Sequence, residues 1–280
     1  MTGTTTDALR KTWDAAAPGW ARWEPHWGRA LQGPTDVLLD HAAVGSGMRV
    51  LDLACGAGSQ TLRAAQRVGG SGEVIAADIS ATMLDYVAEA ARAAGLENVR
   101  TVASPAEELG LPTESIDAGI CRLGLMLFAD PGSALEAVHR LLRPGARFAA
   151  LVFSAPAANA FMAAPMATLL RHAGSPAPAP GTPGLFRFGA DGALAGVLAA
   201  AGLTDVRSDV IAATLRFESV DDAMGMFQQA AGAYRAAIAQ LDDDAKAAAW
   251  ADVRDEVAGY ATPEGGVEAS LEVVVASGAR

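Results

Sequence analysis

Two glycines, Gly56 and Gly58, follow almost directly on the apolar run Arg49-Val-Leu-Asp-Leu53. A strand that breaks into such a bend ahead of a helix leaves bare backbone for a ligand and points the helix's first amides at an anionic group. Asp78 stands twenty positions after Gly58, closing the next β-prone run, Val74-Ile-Ala-Ala-Asp78. A carboxylate there is placed to accept hydrogen bonds from both hydroxyls of a ribose, as in nucleotide-binding α/β folds. The two features reinforce each other and predict an adenosyl ligand. Asp52, inside the first run, is out of place in a buried strand unless paired; a ligand ammonium, reached directly or through water, would pair it. An NAD-dependent oxidoreductase is the alternative, since it shares the glycine turn and Asp78. Its pattern asks for a third glycine three positions after the second, where this chain has Thr61.

Positioning these residues requires strands that alternate with helices. From Met48 onward short β-branched or apolar runs alternate with longer Ala- and Leu-rich stretches, the rhythm of βαβ units and a parallel sheet. Strands are predicted at 48–53, 73–77, 98–102, 116–122 and 146–154, with helices at 59–68, 80–94 and 131–142. Gly69 and Gly95 supply C-cap chemistry. The Pro/Gly-rich segment 175–184 reads as a loop between helices at about 157–173 and 191–201. A strand near 208–217, a long helical stretch over 219–259 and a last strand at 268–277 complete the reading. The expected architecture is a doubly wound, Rossmann-like, mostly parallel seven-stranded sheet. An N-terminal helical lid spans 1–45, and the core at 46–280 carries cap insertions at about 155–190 and 219–262.

Val50-Leu-Asp-Leu-Ala-Cys-Gly-Ala-Gly58 resembles motif I of class I S-adenosylmethionine-dependent methyltransferases, in particular the ubiquinone/menaquinone-biosynthesis type. Ala77-Asp-Ile-Ser80 with Met83-Leu84 resembles the second motif of that family. Ser115 to Arg122 resembles its fourth strand, and Leu141-Leu-Arg-Pro-Gly145 the turn into its fifth. The resemblance implies S-adenosylmethionine as cofactor and a methyl transfer as the reaction. It places Asp52, Ala54, Gly56 and Gly58 around the methionine end, with Gln60 near the carboxylate. Asp78 would hold the ribose, Ile79 and Met83 would sandwich the adenine, and Ala106 would offer its amide to the ring. The Arg122 carbonyl would lie near the ammonium. Where the family often has an acidic residue before that alanine, this chain has Pro105, so Ser104 or Glu107 would substitute. A second departure is Gly145-Ala-Arg147 in place of two glycines.

Transfer from a sulfonium is an in-line displacement, in which a protein chiefly aligns the reactants and excludes water. A base helps only if the acceptor is a phenol or an enolizable carbon. Candidates are His26, His41, His139, His172, Glu24 and Tyr234, with His26 preferred because it stands beside Trp27 on the N-terminal stretch. Residues 7–32 space four tryptophans in a helical pattern, which reads first as core packing and otherwise as a lid over a pocket. The Arg122 side chain reads equally as a holder of an anionic substrate group or as the ion-pair partner of an acidic cap. Trp20, Trp23, Leu125, Met126, Phe153, Phe161 and Met226 are the expected acceptor walls, although each is also an ordinary core residue.

Composition narrows the classes. The 280 residues are 51% hydrophobic and carry a formal charge of −11, without the clustered Lys and Arg that a nucleic-acid footprint needs. Cys55 and Cys121 lie in or beside apolar runs and read as reduced thiols, and no signal peptide or membrane span is recognisable. The expectation is a cytoplasmic enzyme acting on a small, largely apolar molecule, with no metal. Some proteins of this kind keep the cofactor and catalyse a rearrangement instead, and oligomeric state has no signature in the sequence.

Overall fold

The β-branched and apolar runs pair side by side in the computed structural model, which describes residues 2–179, 181–230 and 232–280, with side chains from Thr6 onward. Helices α1 (Thr2–Ala30) and α2 (Gln32–His41) precede β1 (Arg49–Leu53), α3 (Ser59–Val68), β2 (Glu73–Asp78), α4 (Ala81–Ala93) and β3 (Val99–Ala103). There follow β4 (Ile116–Arg122), α5 (Pro131–Leu141), β5 (Leu142–Phe153), α6 (Ala160–His172), α7 (Ala193–Ala200) and β6 (Thr204–Phe217). The chain ends with α8 (Val220–Gln229), α9 (Gly232–Ala237), α10 (Asp243–Ala258) and β7 (Val267–Ala279). The sheet has seven strands in the order β3-β2-β1-β4-β5-β7-β6, and β7 runs antiparallel to both neighbours.

Strand β1 sits between β2 and β4, with Val50 opposite Val74 on one side and Ala118 on the other. The strand order reverses there, so a crevice opens beyond the carboxyl ends of β1 and β4, where this fold type binds ligands. Val50, Leu51, Ile75, Ile120 and Phe148 are fully buried in the layers flanking the sheet. Each such side chain contributes about 1.5–3 kcal/mol of hydrophobic stabilisation.

The expected sheet is present, with three differences. Residues 143–146 do not form a separate turn but bulge within β5, since Ile116 pairs with Leu142 and Ala118 with Arg147. The expected helix over 219–259 is three helices, the last restarted by Asp242, whose carboxylate caps the Ala245 amide. Strand β6 begins at Thr204, four residues early, because β7 pairs with it along almost its whole length. Pro180, within the Pro/Gly-rich segment, and Ala231, within the expected long helix, lie outside the described residues.

Candidate active site

Strands β1 and β4 each leave the sheet through a non-glycine residue in the left-handed region, Ala54 at φ 52° and Leu123 at φ 59°. Such residues cost roughly 1–2 kcal/mol each and persist where the surroundings enforce them. The two bends touch: a Cβ on Gly124 would come within 2.6 Å of the Ala54 Cβ. Neither bend has a sequence signal, because alanine and leucine give no hint of positive φ.

Above them lies a cavity of about 240 Å³ bordered by Ala54, Gly56, Gln60, Asp78, Ile79, Met83, Pro105, Ala106, Glu107 and Arg122. Ten of the twelve residues expected around the cofactor therefore meet at one place. Asp78 ties the two loops together, its Oδ2 accepting from the Gly56 amide at 3.0 Å and its Oδ1 from the Ser80 amide at 2.9 Å. Burial pushes its carboxyl up, against the pull of those backbone donors. Each oxygen has a second lone pair, which leaves Asp78 able to accept from a diol in addition.

Gly58 and Asp52 do not border the cavity. Gly58, at φ 93°, caps α3 against Val87, whose Cγ2 would lie 2.8 Å from an added Cβ. Gly58→Ala is expected to lose about 1–3 kcal/mol of stability from left-handed strain plus overlap, read by urea denaturation. Asp52 is fully buried beneath the bend, its Oδ2 accepting from the Thr61 hydroxyl at 2.5 Å and its Oδ1 from Gln60 Nε2 at 3.4 Å. Its expected pairing is thus met by α3 side chains, and Thr61 is a structural partner of the strand.

Gln60 carries the consequence. Its Nε2 also donates to the Cys55 carbonyl at 2.7 Å, which fixes the amide's orientation, and its buried Oε1 has no partner among the described residues. An orphan acceptor suits an ammonium better than the carboxylate beside which Gln60 is expected. The bare bend, the Asp78 carboxylate and this orphan oxygen together fit S-adenosylmethionine.

Asp52 is pushed up to about 7 by burial, with its Thr61 and Gln60 bonds and the Arg122 charge opposing. A cationic ligand end favours the ionised form, so below pH 7 binding must first expel a proton. Affinity for S-adenosylmethionine is expected to fall by up to about tenfold per pH unit below pH 7, and Asp52→Asn to flatten the profile, both read by calorimetry.

The opposite wall comes from α1. Leu9, Trp13, Trp20, Glu24 and Trp27 are spaced by four, seven, four and three residues, one face of a helix, and all border the cavity. Glu24 Oε1 accepts from Arg122 Nη2 at 2.9 Å and from the Ser59 amide at 3.1 Å, and Arg122 also donates to Ser59 Oγ at 2.7 Å. The Arg122 side chain is therefore the ion-pair partner of the N-terminal helix. At the start of α4, Asp14 of α1 accepts from Ser80 Oγ at 2.6 Å, and that bond holds its carboxyl below the usual range.

The preferred base and most of the expected acceptor walls are elsewhere. His26 and Trp23 fall on the neighbouring face of α1: His26 stacks on Phe217 at 5.2 Å, lies 3.5 Å from Asp222, and is lowered by burial. Trp23 covers Gly225, where a Cβ would come within 2.8 Å of its ring. Phe153 backs Trp27 edge-on, and Phe161 packs among Phe217, Phe227 and Tyr260. Leu125, Met126 and Met226 are core. Of that set only Trp20 borders the cavity, joined by Trp13, Trp27, Leu127 and Phe128. Every bordering residue lies between 6 and 129, so the helices of the expected caps do not reach it. His41 and His172 pair with Asp209 and Asp252, both at 2.8 Å. His139 lies beneath Gly202, and the Tyr234 hydroxyl donates to the Met162 carbonyl at 2.6 Å.

Residues 45–171 match a family described as methyltransferase domain. Over those residues the chain is similar to a methyltransferase domain. A ubiquinone/menaquinone biosynthesis C-methyltransferase, UbiE, of Idiomarina loihiensis is 40% identical over 119 residues, 42% of this chain and 47% of that protein. The chain thus matches about half the length of such relatives. In fold, the domain and its surrounding helices are similar to the [4+2]-cyclase SpnF, with a TM-score of 0.62 and 17% identity over 98% of this chain and 96% of that one. YcgJ of Bacillus subtilis gives 0.59 and 20% over 89% and 98%. That similarity favours S-adenosylmethionine over NAD as the cofactor. Among the described residues no helix is long and apolar enough to cross a membrane.

Proposed function

We propose that the protein transfers a methyl group from S-adenosylmethionine to carbon or oxygen of a small, largely apolar acceptor, a quinone-like ring or a specialised metabolite. The observation that carries this reading is the continuity of one cavity, polar where Asp78 and Gln60 stand and aromatic where α1 faces them. Carbon is favoured because the relatives at about 40% identity are named C-methyltransferases. Two buried free thiols, Cys55 and Cys121, suit a reducing, cytoplasmic setting.

Bound there, S-adenosylmethionine supplies an electrophilic methyl carbon. Asp78 would take the ribose hydroxyls, Gln60 Oε1 would accept from the ammonium, and Ile79 and Met83 would flank the adenine. Helix α1 serves as the lid: Asp14 and Glu24 tether it at the starts of α4 and α3, and its tryptophans keep water from the reacting atoms. Where the acceptor must lose a proton, Glu24 takes it, since it is the carboxylate that the lid itself brings to the cavity.

Incubation with S-adenosylmethionine deuterated at the methyl group, against a panel of quinols, phenols and enols that includes 1,4-naphthoquinol, tests the reading by product mass. A product heavier by one labelled methyl is expected. A product of unchanged mass would favour a rearrangement, and no product across the panel would count against methyl transfer to such acceptors.

A further inference from the structure

Arg122 is the one cationic side chain bordering the cofactor cavity among the described residues, and it is 6% exposed. A buried guanidinium needs a carboxylate, and here the chain supplies its own. Glu24 Oε1, from α1, accepts from Arg122 Nη2 at 2.9 Å and from the Ser59 amide at 3.1 Å. That amide opens α3 directly after the Gly56–Gly58 bend, where the sequence predicts that a ligand's anionic group meets the helix. A guanidinium and a helix-start amide converging on one carboxylate oxygen make a seat for a carboxylate. Glu24 and Arg122 also border a second cavity of about 720 Å³ between α1, α3 and α4, so the pair forms the partition between the two spaces.

We propose that Arg122 and the Ser59 amide are the seat of the cofactor's carboxylate, which Glu24 fills until the cofactor displaces it. The inference rests on the reading of the first cavity as the cofactor's, and goes beyond it by naming the anionic subsite and its internal competitor. S-adenosylmethionine carries one carboxylate, and Arg122 is the cation that this cavity offers it. Ser59 is followed along α3 by Gln60, whose orphan acceptor suits the ammonium, and an α-amino acid holds both charges on one carbon. The second cavity gives the displaced Glu24 side chain room to turn away, while α1 keeps its other tether, the Asp14 bond to Ser80.

The test compares S-adenosylhomocysteine with its carboxamide, which keeps the ammonium and lacks the carboxylate charge, by calorimetry on the whole chain. Glu24→Gln is expected to bind S-adenosylhomocysteine about tenfold more tightly than wild type does, the effect of removing a competitor for a charge-assisted bond, and to bind the carboxamide as wild type does. The double variant Arg122→Met with Glu24→Gln, which strands no buried charge, is expected to bind the two ligands alike. In wild type, carbodiimide coupling of glycine ethyl ester to carboxylates, mapped by mass spectrometry, is expected to label Glu24 faster with S-adenosylhomocysteine bound and no faster with the carboxamide. This readout needs no variant to fold. Weaker or unchanged binding of S-adenosylhomocysteine by Glu24→Gln, an equal gain for the carboxamide, discrimination kept by the double variant, or unmoved labelling of Glu24 would each overturn the proposal. Failure of S-adenosylhomocysteine to bind wild type would instead overturn the reading on which it rests.

Discussion

Asp78→Ala is expected to weaken binding of S-adenosylmethionine by about a hundredfold or more while leaving the protein folded. Two hydrogen bonds to an ionised group are each worth about 1.5–3 kcal/mol, and both ribose hydroxyls would lose their acceptor. The same substitution frees the Gly56 and Ser80 amides, which Asp78 holds at 3.0 and 2.9 Å. The bend and the start of α4 therefore lose their link just where the adenosyl group must lie. Calorimetry reads the affinity and thermal denaturation the fold. A loss below about fivefold would mean that Asp78 serves only to join the two loops.

The second large effect concerns stability. Arg122→Ala is expected to cost about 3–5 kcal/mol in urea denaturation, because it strands the Glu24 carboxylate, whose side chain is 14% exposed, without its cation. Replacing both partners, Arg122→Met with Glu24→Gln, is expected to recover most of that loss, since two neutral side chains carry no desolvated charge. Equal losses in the single and the double variant would show that the pair contributes nothing as a pair. Because Glu24 also accepts from the Ser59 amide, the single variant should loosen α1 from α3 as well.

The first five strands were legible to within a few residues at their carboxyl ends, because β-branched and apolar runs bounded by glycine have few other solutions. The cofactor half of the site followed from the same local signals, since Gly56 and Asp78 meet wherever two such strands lie side by side in parallel. What stayed hidden depends on groups far apart in sequence. The Glu24–Arg122 pair spans 98 positions, and nothing local at either end announces it. Which tryptophans face the ligand depends on how α1 is rotated, and that rotation is set by Trp23 settling over Gly225 and by Asp14 reaching Ser80. Period alone assigns a face, not its neighbour. The same blindness explains the acceptor walls: Phe153, Phe161 and Met226 have the right chemistry, but β7 and the helices around it enclose them.

The reading of Gln60 shows where chemistry can overrule resemblance. Its position relative to the bend suggests a neighbour for a carboxylate, yet the Cys55 carbonyl and Asp52 claim its amide nitrogen and leave only an acceptor over. Asp52 accepts from both Gln60 and Thr61 and does not border the cavity. These partners depend on how α3 packs on β1, which no motif contains.

Titration calorimetry of wild type with S-adenosylhomocysteine, run beside NADH, is the most direct measurement. One saturable site per chain, favoured over NADH by about a hundredfold or more, is the predicted result, equivalent to about 3 kcal/mol of discrimination. No binding of S-adenosylhomocysteine up to millimolar concentration, or NADH bound as tightly, would contradict the assignment of this cavity.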